Sequence, residues 1–198
     1  MYKPDYEPGS TPLDPNEIDG LRLKYIETQA EVNEAEYANI TQAELWLSRI
    51  RNPDVLSEKF ALQLHKKMFS GVWHWAGTYR RSEKNIGIEP AYITSQLYQL
   101  FDDVKFWHTN KTYIPLETAT RFHHRLTQIH PFPNGNGRHA RFMANALLLN
   151  TFVSAPINWG KTAEMLTKTQ HRENYIDALR AADNQNYAPL FKFVGLHT

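Results

Sequence analysis

The chain has 198 residues, 41% hydrophobic and 22% charged, with a formal net charge of +1 and no cysteine. These proportions suit one ordinary globular domain, and near-neutrality gives no bulk attraction to nucleic acid or to an anionic membrane surface. Disulfides and thiolate metal sites are excluded, no run reaches the roughly 18 apolar residues of a membrane helix, and the acidic, proline-rich start does not read as a signal peptide. A cytoplasmic protein with neither membrane nor nucleic-acid partner is expected.

Residues 1–26 read as an extended N-terminal arm, its first 20 rich in Pro, Gly, Asp and Glu and without regular structure. The domain proper is expected over 27–198. From about Glu27 to Ile50 the residues Ala30, Ala35, Ile40, Ala43, Leu47 and Ile50 fall at mostly helical spacing. Asn52-Pro53 stops that helix, and a second follows from about Val55 to Phe69, closed by Gly71. Residues 78–92 carry β-compatible side chains around Gly87 and predict a β-hairpin flap. Helices are expected again at about 94–108, 116–130, 136–151 and 162–183, with a last turn near 188–194. The fold class is therefore all-α with a single β-hairpin flap.

The most informative stretch is His130-Pro-Phe-Pro-Asn-Gly-Asn-Gly-Arg-His-Ala-Arg141. A turn of small residues that enters a helix leaves backbone N–H groups unpaired and aimed one way, which suits phosphate oxygens. Gly135 and Gly137 lack a Cβ and let a ligand approach the backbone closely. Arg138 and Arg141 lie one turn apart on a helix face, where guanidinium forks grip phosphate. His130 is a base near neutral pH, and Asn134 offers a hard oxygen of the kind Mg²⁺ accepts. Together these groups point to phosphate chemistry. A metal site built on His123, His124, His130 and His139 lacks a carboxylate at the needed spacing, so packing roles are expected for most of them. Tryptophans and tyrosines such as Trp73 and Tyr92 are read as core and flap shaping, since no basic stripe accompanies them.

The same stretch resembles the signature of the Fic family, His-Pro-Phe-x-(Asp/Glu/Asn)-Gly-Asn-Gly-Arg-x-x-Arg. The likeness continues in Trp75-Ala76-Gly77-Thr78-Tyr79-Arg80 and in the segment from Tyr175 to Phe193. Thr-Pro-Leu-Asp-Pro near the start and Thr28-Gln-Ala-Glu-Val-Asn-Glu resemble small bacterial members called mobile mystery protein B. The resemblance implies a protein adenylyltransferase that moves AMP from ATP to a Tyr, Thr or Ser hydroxyl and releases pyrophosphate. It casts His130 as the base and the 134–137 turn as the phosphate cradle. Asn134 would hold Mg²⁺, Asn136 the α-phosphate region, Arg138 the β-phosphate and Arg141 the γ-phosphate. Phe132 is expected to anchor the turn by packing.

Neutral Asn134 stands where many relatives have a carboxylate, which should weaken Mg²⁺ binding. Gly-Asn-Gly-Arg favours AMP transfer over the phosphate transfer of the Doc branch. A target protein is expected to dock by backbone pairing along the flap at Ile86, Gly87 and Ile88. The family's inhibitory pattern occurs strictly only at Thr169–Asn174, where it reads as coincidence. Glu31 and Glu34 are instead the inhibitory candidates, pairing with Arg141, against a brake supplied by a separate regulatory partner. Two other readings stay open: a catalytically weak nucleotide-binding module of a toxin–antitoxin-like pair, and transfer of a different nucleotide-linked group.

Overall fold

The computed structural model describes residues 2, 4, 5, 11–160 and 169–196. Among them the helices are α1 (Pro15–Ile18), α2 (Gln29–Arg49), α3 (Glu58–Phe69), α4 (Ile93–Thr109), α5 (Pro115–Ile129), α6 (Asn136–Asn150), α7 (Gln170–Asp183) and α8 (Ala188–Phe193). The part of the expected 162–183 helix before residue 169 lies outside the described residues.

Local chemistry sets the helix starts. Thr28 and Glu31 close a capping box at the head of α2, and the Ser57 hydroxyl accepts the Phe60 N–H at the head of α3. Pro115 at the first position of α5 costs nothing, because its missing N–H would have been unpaired there. Helices α5 and α6 form the centre: Phe122, Leu126 and Ile129 on one and Ala140, Met143, Ala144 and Leu147 on the other are almost wholly buried. Helices α3 and α4 pack around them through Leu64, Met68, Phe101 and Val104.

The arm has more order than expected. Asp14 and Glu17 form a capping box on α1, and Leu21 makes an isolated antiparallel bridge with Trp73, flanked by Arg22 N–H to Val72 O and His74 N–H to Gly20 O. The hairpin expected over 78–92 does not form: among the described residues there is no strand, and the segment is an irregular loop ending in a 3₁₀ turn at Pro90–Tyr92. Its carbonyls have found another partner. Buried Arg80 donates to Ser82 O and Ile88 O, and the Ile88 N–H reaches Ile129 O at the end of α5. A guanidinium thus satisfies the groups that a second strand would have paired. No described helix is long and apolar enough to cross a membrane.

Candidate active site

His130 ends α5 in a left-handed conformation, φ 53° and ψ 59°, which is uncommon for a residue with a Cβ. Two bonds hold it there: its N–H reaches Leu126 O at 3.2 Å, and its own carbonyl accepts from Arg80 Nε at 2.6 Å. The Arg80 N–H also donates to Pro131 O at 2.9 Å. Arg80 is 3% exposed, so the fork is shielded from water and its bonds fix both the histidine and the loop.

The turn that follows is pinned on both sides. Phe132 is fully buried and stacks on the His65 ring with centroids 3.6 Å apart. The Asn136 amide accepts the Phe132 N–H at 2.9 Å and donates to Phe132 O at 2.8 Å, so its polar atoms brace the turn from within. His65 accepts the Gly77 N–H on Nδ1 at 2.9 Å and lies 3.1 Å from Asn134 O on Nε2. Burial holds its pKa well below the usual value, so it serves as a neutral strut. Gly135 has φ 77°, and a Cβ there would meet the Phe69 ring at 2.5 Å. Only glycine fits that position.

Helix α6 begins at Gly135 with no side-chain cap. Its first-turn N–H groups therefore face a cavity of about 620 Å³, lined by Gly135, Asn136, Gly137, Arg138 and Arg141 together with His130. That volume suits a nucleotide-sized ligand. A Cβ on Gly137 would find nothing closer than the Arg141 side chain at 3.7 Å, so packing alone does not demand glycine there. Arg141 lies with its guanidinium 5.4 Å from the centre of the Tyr175 ring, whose hydroxyl in turn meets His123 Nε2 at 2.9 Å. Burial lowers the Arg141 pKa from a very high starting value.

His130 is 5% exposed, and burial lowers its pKa to about 4, so the ring is neutral near pH 7. Its Nδ1 lies 3.4 Å from Thr127 O, which can only accept. The proton therefore sits on Nδ1, and Nε2 is left as the acceptor nitrogen. Thr11 Oγ1 lies 3.0 Å from that atom.

The carboxylate that meets the motif arginines is neither of the two expected ones. Glu31 turns back on the head of α2, accepting from Glu27 N, Thr28 N and Thr28 Oγ1, and Glu34 is exposed. Glu36, 4% exposed, pairs with Arg138 Nη1 and accepts Trp73 Nε1–H at 2.6 Å. The arginine engaged is thus Arg138, not Arg141. The buried face of α2 runs Val32, Glu36, Ile40, Ala43, a clean helical series that includes a carboxylate. The sequence reading placed Ala35 on that face and passed over Glu36.

Asn134 Oδ1 accepts the Gly135 N–H at 2.6 Å and lies 3.4 Å from Arg138 Nη2, while its Nδ2 donates to Thr11 O at 3.1 Å. One neutral amide oxygen is a meagre cation site by itself, but it fits Mg²⁺, which keeps several waters and takes phosphate oxygens as ligands. Among the described residues no three His, Asp or Glu side chains gather around a common point. His124 is engaged with Asp183 and Tyr187, and His139 with Ala61 O.

Of the expected docking residues, Ile86 is 48% exposed, and Ile86, Gly87 and Ile88 all line the rim of the same cavity. Gly87 has φ 107°, and a Cβ there would lie 2.7 Å from Arg80 Nη2 and 2.8 Å from His130 Cβ. Sequence reasoning missed the roles of Glu36 and Arg80 and the contacts of Thr11 with His130 and Asn134. The Arg80 role was signalled only by its place at the end of the quoted Trp-Ala-Gly stretch.

A helical domain thus brings a neutral buried histidine, the N-terminus of α6 and two arginines around one cavity. Residues 55–148 match the model of the Fic/DOC family, and this part of the chain is a Fic/DOC family domain. The chain is 28% identical over 149 residues to a protein adenylyltransferase Fic of Aedes aegypti, covering 73% of this chain and 28% of that protein. It is 29% identical to a probable protein adenylyltransferase of Aquifex aeolicus, covering 66% of this chain and 38% of the other. The chain thus spans well under half the length of these curated relatives. Among solved structures it resembles Fic-1 of Caenorhabditis elegans (TM-score 0.63, 24% identity, 82% of this chain and 48% of that one). It also resembles the BepC protein of Bartonella tribocorum with bound AMPPNP (TM-score 0.67, 16% identity, 87% and 88%). These likenesses establish a Fic-type fold.

Proposed function

We propose that this protein is a protein adenylyltransferase that transfers AMP from ATP to a hydroxyl of a protein, releasing pyrophosphate. The observation that carries the reading is a histidine unprotonated on Nε2, His130, lining the same cavity as the α6 N-terminus and both motif arginines. The names of the curated relatives support it, as does the AMPPNP in BepC, whose fold this chain shares.

In this reading the target oxygen attacks the α-phosphorus while Nε2 takes its proton. The Asn136 and Gly137 backbone N–H groups at the start of α6 hold α-phosphate oxygens as charge builds. Asn136 steadies the α-phosphate region by bracing the turn through its two bonds to Phe132. Arg138 and Arg141 grip the β- and γ-phosphates, so the leaving pyrophosphate stays neutralised. Asn134 would hold the Mg²⁺ that arrives with ATP, and the ion would supply charge neutralisation at the phosphates. The loop at Ile86–Ile88 flanks the attacking side, where a target segment would lie.

Glu36 sets the resting state. Arg138 must leave this carboxylate to meet a phosphate, so the pair restrains productive ATP binding from within the chain. The same pair favours a second reading, a nucleotide-binding module kept inactive until a regulatory partner acts on it.

Incubation with α-labelled ATP, Mg²⁺ and cell lysate tests the proposal. Label should appear on protein with release of pyrophosphate, and His130→Ala should lower transfer by about 10²- to 10⁴-fold with ATP binding retained. Label from the γ-phosphate on protein, or a His130→Ala enzyme at the wild-type rate, would refute the assignment.

A further inference from the structure

The two motif arginines are held in different ways. Arg138 is paired with the Glu36 carboxylate, whereas among the described residues Arg141 is bound by the neutral Tyr175 hydroxyl and lies over its ring. Both of these groups sit beside the first turn of α6: a Cβ built on Gly137 would lie 3.7 Å from Arg141 Nη1 and 3.8 Å from the Tyr175 oxygen. Tyr175 is 6% exposed and lines the same cavity as His130. A half-buried cation whose partner carries no charge is short of a counter-ion, and the adjoining helix N-terminus favours an anion in the same space.

The protons along this chain of contacts can be assigned. An arginine can only donate, so the Tyr175 oxygen accepts from Arg141. The hydroxyl proton is then left for His123 Nε2, 2.9 Å away, and the His123 proton sits on Nδ1. Burial first, then the Arg141 charge, holds the His123 pKa well below its ordinary value, so the ring stays a neutral acceptor. Its Nδ1 has no hydrogen-bond partner among the described residues. A buried N–H without a partner costs stability, so packing alone would favour an apolar side chain at 123. The imidazole serves instead as the acceptor that turns the Tyr175 hydroxyl. The Tyr175 ring is packed by Phe193, His123 and the edge of Trp159, with centroids 5.5, 5.8 and 6.4 Å away, which leaves it little freedom to swing.

We infer that Tyr175, itself held by His123, is a positioning residue that aims the Arg141 guanidinium at the terminal phosphate of a nucleoside triphosphate and so sets the preference for a triphosphate over a diphosphate. The inference rests on the phosphate placement in the adenylyl-transfer reading above. A free arginine side chain would have to be frozen when the nucleotide binds, and a hydroxyl that already restrains it removes part of that entropic cost. The guanidinium fork carries several N–H donors, so bonding to Tyr175 leaves others for phosphate oxygens. Glu36 must give up Arg138 before a phosphate can take it. Tyr175 need not give up Arg141, because a neutral oxygen does not compete with phosphate for the charge.

The test is calorimetric titration of the full chain with Mg²⁺-ATP and with Mg²⁺-ADP, which needs no transfer to occur. The wild-type chain should hold ATP about tenfold or more tighter than ADP, the size of one charge-assisted phosphate contact. Tyr175→Phe keeps the ring and removes the hydroxyl. It should weaken ATP by about three- to tenfold and leave ADP within about twofold, so that the ratio of the two shrinks. His123→Leu should shift the ratio the same way with the tyrosine intact, and His123→Gln, whose amide oxygen can accept from Tyr175, should restore it. If Tyr175→Phe melts too early to titrate, the ratio in His123→Leu decides. Equal affinity of the wild-type chain for both nucleotides, equal weakening of both, or an unchanged ratio in the folded variants would overturn the inference, since a residue that only supports the fold does not distinguish ATP from ADP. A chain that shows the expected pattern yet moves no AMP to any protein keeps this inference and loses the enzyme reading.

Discussion

The Glu36 carboxylate and the Arg138 guanidinium, separated by 102 residues in sequence, form a nearly buried ion pair at the mouth of the phosphate cradle, and Glu36 also accepts from the Trp73 indole. Glu36→Gln removes the charge but keeps an amide oxygen for Trp73. We expect ATP affinity and the initial rate of AMP transfer to rise by about tenfold, equivalent to about 1.4 kcal/mol of released restraint, a typical size for a charge-assisted bond. Calorimetric ATP titration and labelled transfer measure both. Equal or lower affinity in the variant would show that the pair only supports the fold.

Arg80 should be a positioning residue. Its fork donates to His130 O, Ser82 O, Ile88 O and Ile129 O, and a lysine cannot reproduce that geometry. Arg80→Lys should leave at least one buried carbonyl unpaired, cost about 1–3 kcal/mol of stability and lower kcat more than it raises the KM for ATP. A variant that is destabilised yet has normal kcat would confine Arg80 to folding.

Gly87→Ala probes the same junction. The new methyl would sit against Arg80 and His130 on a backbone with φ 107°, where side chains are strained. Transfer should fall by about tenfold or more, while ATP binding, which uses the α6 N-terminus and the motif arginines, stays within about twofold. Equal losses in both would point to general collapse of the site.

Protonation should set the acid limit of stability. Burial lowers the pKa values of His130 and His139 to about 4, and those of His65 and His123 well below the ordinary value near 6.5. Between about pH 4 and 6.5 the unfolded chain binds protons that the folded chain refuses, so stability falls as pH drops through that window and is flat for these groups above it. Each such histidine contributes a slope of up to about 1.4 kcal/mol per pH unit. Urea midpoints at about pH 7.5, 6 and 5 should decline in that order. A midpoint at pH 5 equal to that at 7.5 would contradict buried neutral histidines.

The sequence by itself determined the helices and the cradle, because both depend on short-range chemistry. Apolar spacing and caps such as Thr28 and Ser57 specify α2 and α3 locally, and His130 to Arg141 are consecutive, so their grouping needs no knowledge of the fold. What lies across long loops was decided only by tertiary structure. A β-compatible run from 78 to 92 became an irregular loop because Arg80 took its carbonyls, a pairing that no local pattern encodes. On α2, Glu31 and Glu34 look equal to Glu36 in sequence, but only Glu36 rotates inward, where Arg138 and Trp73 offset the cost of burying its charge. Thr11 reads as part of a loose arm until folding lays it against His130, 119 residues away, because Lys84 and the carboxylates of Asp14 and Glu17 can meet only once the domain has closed around them.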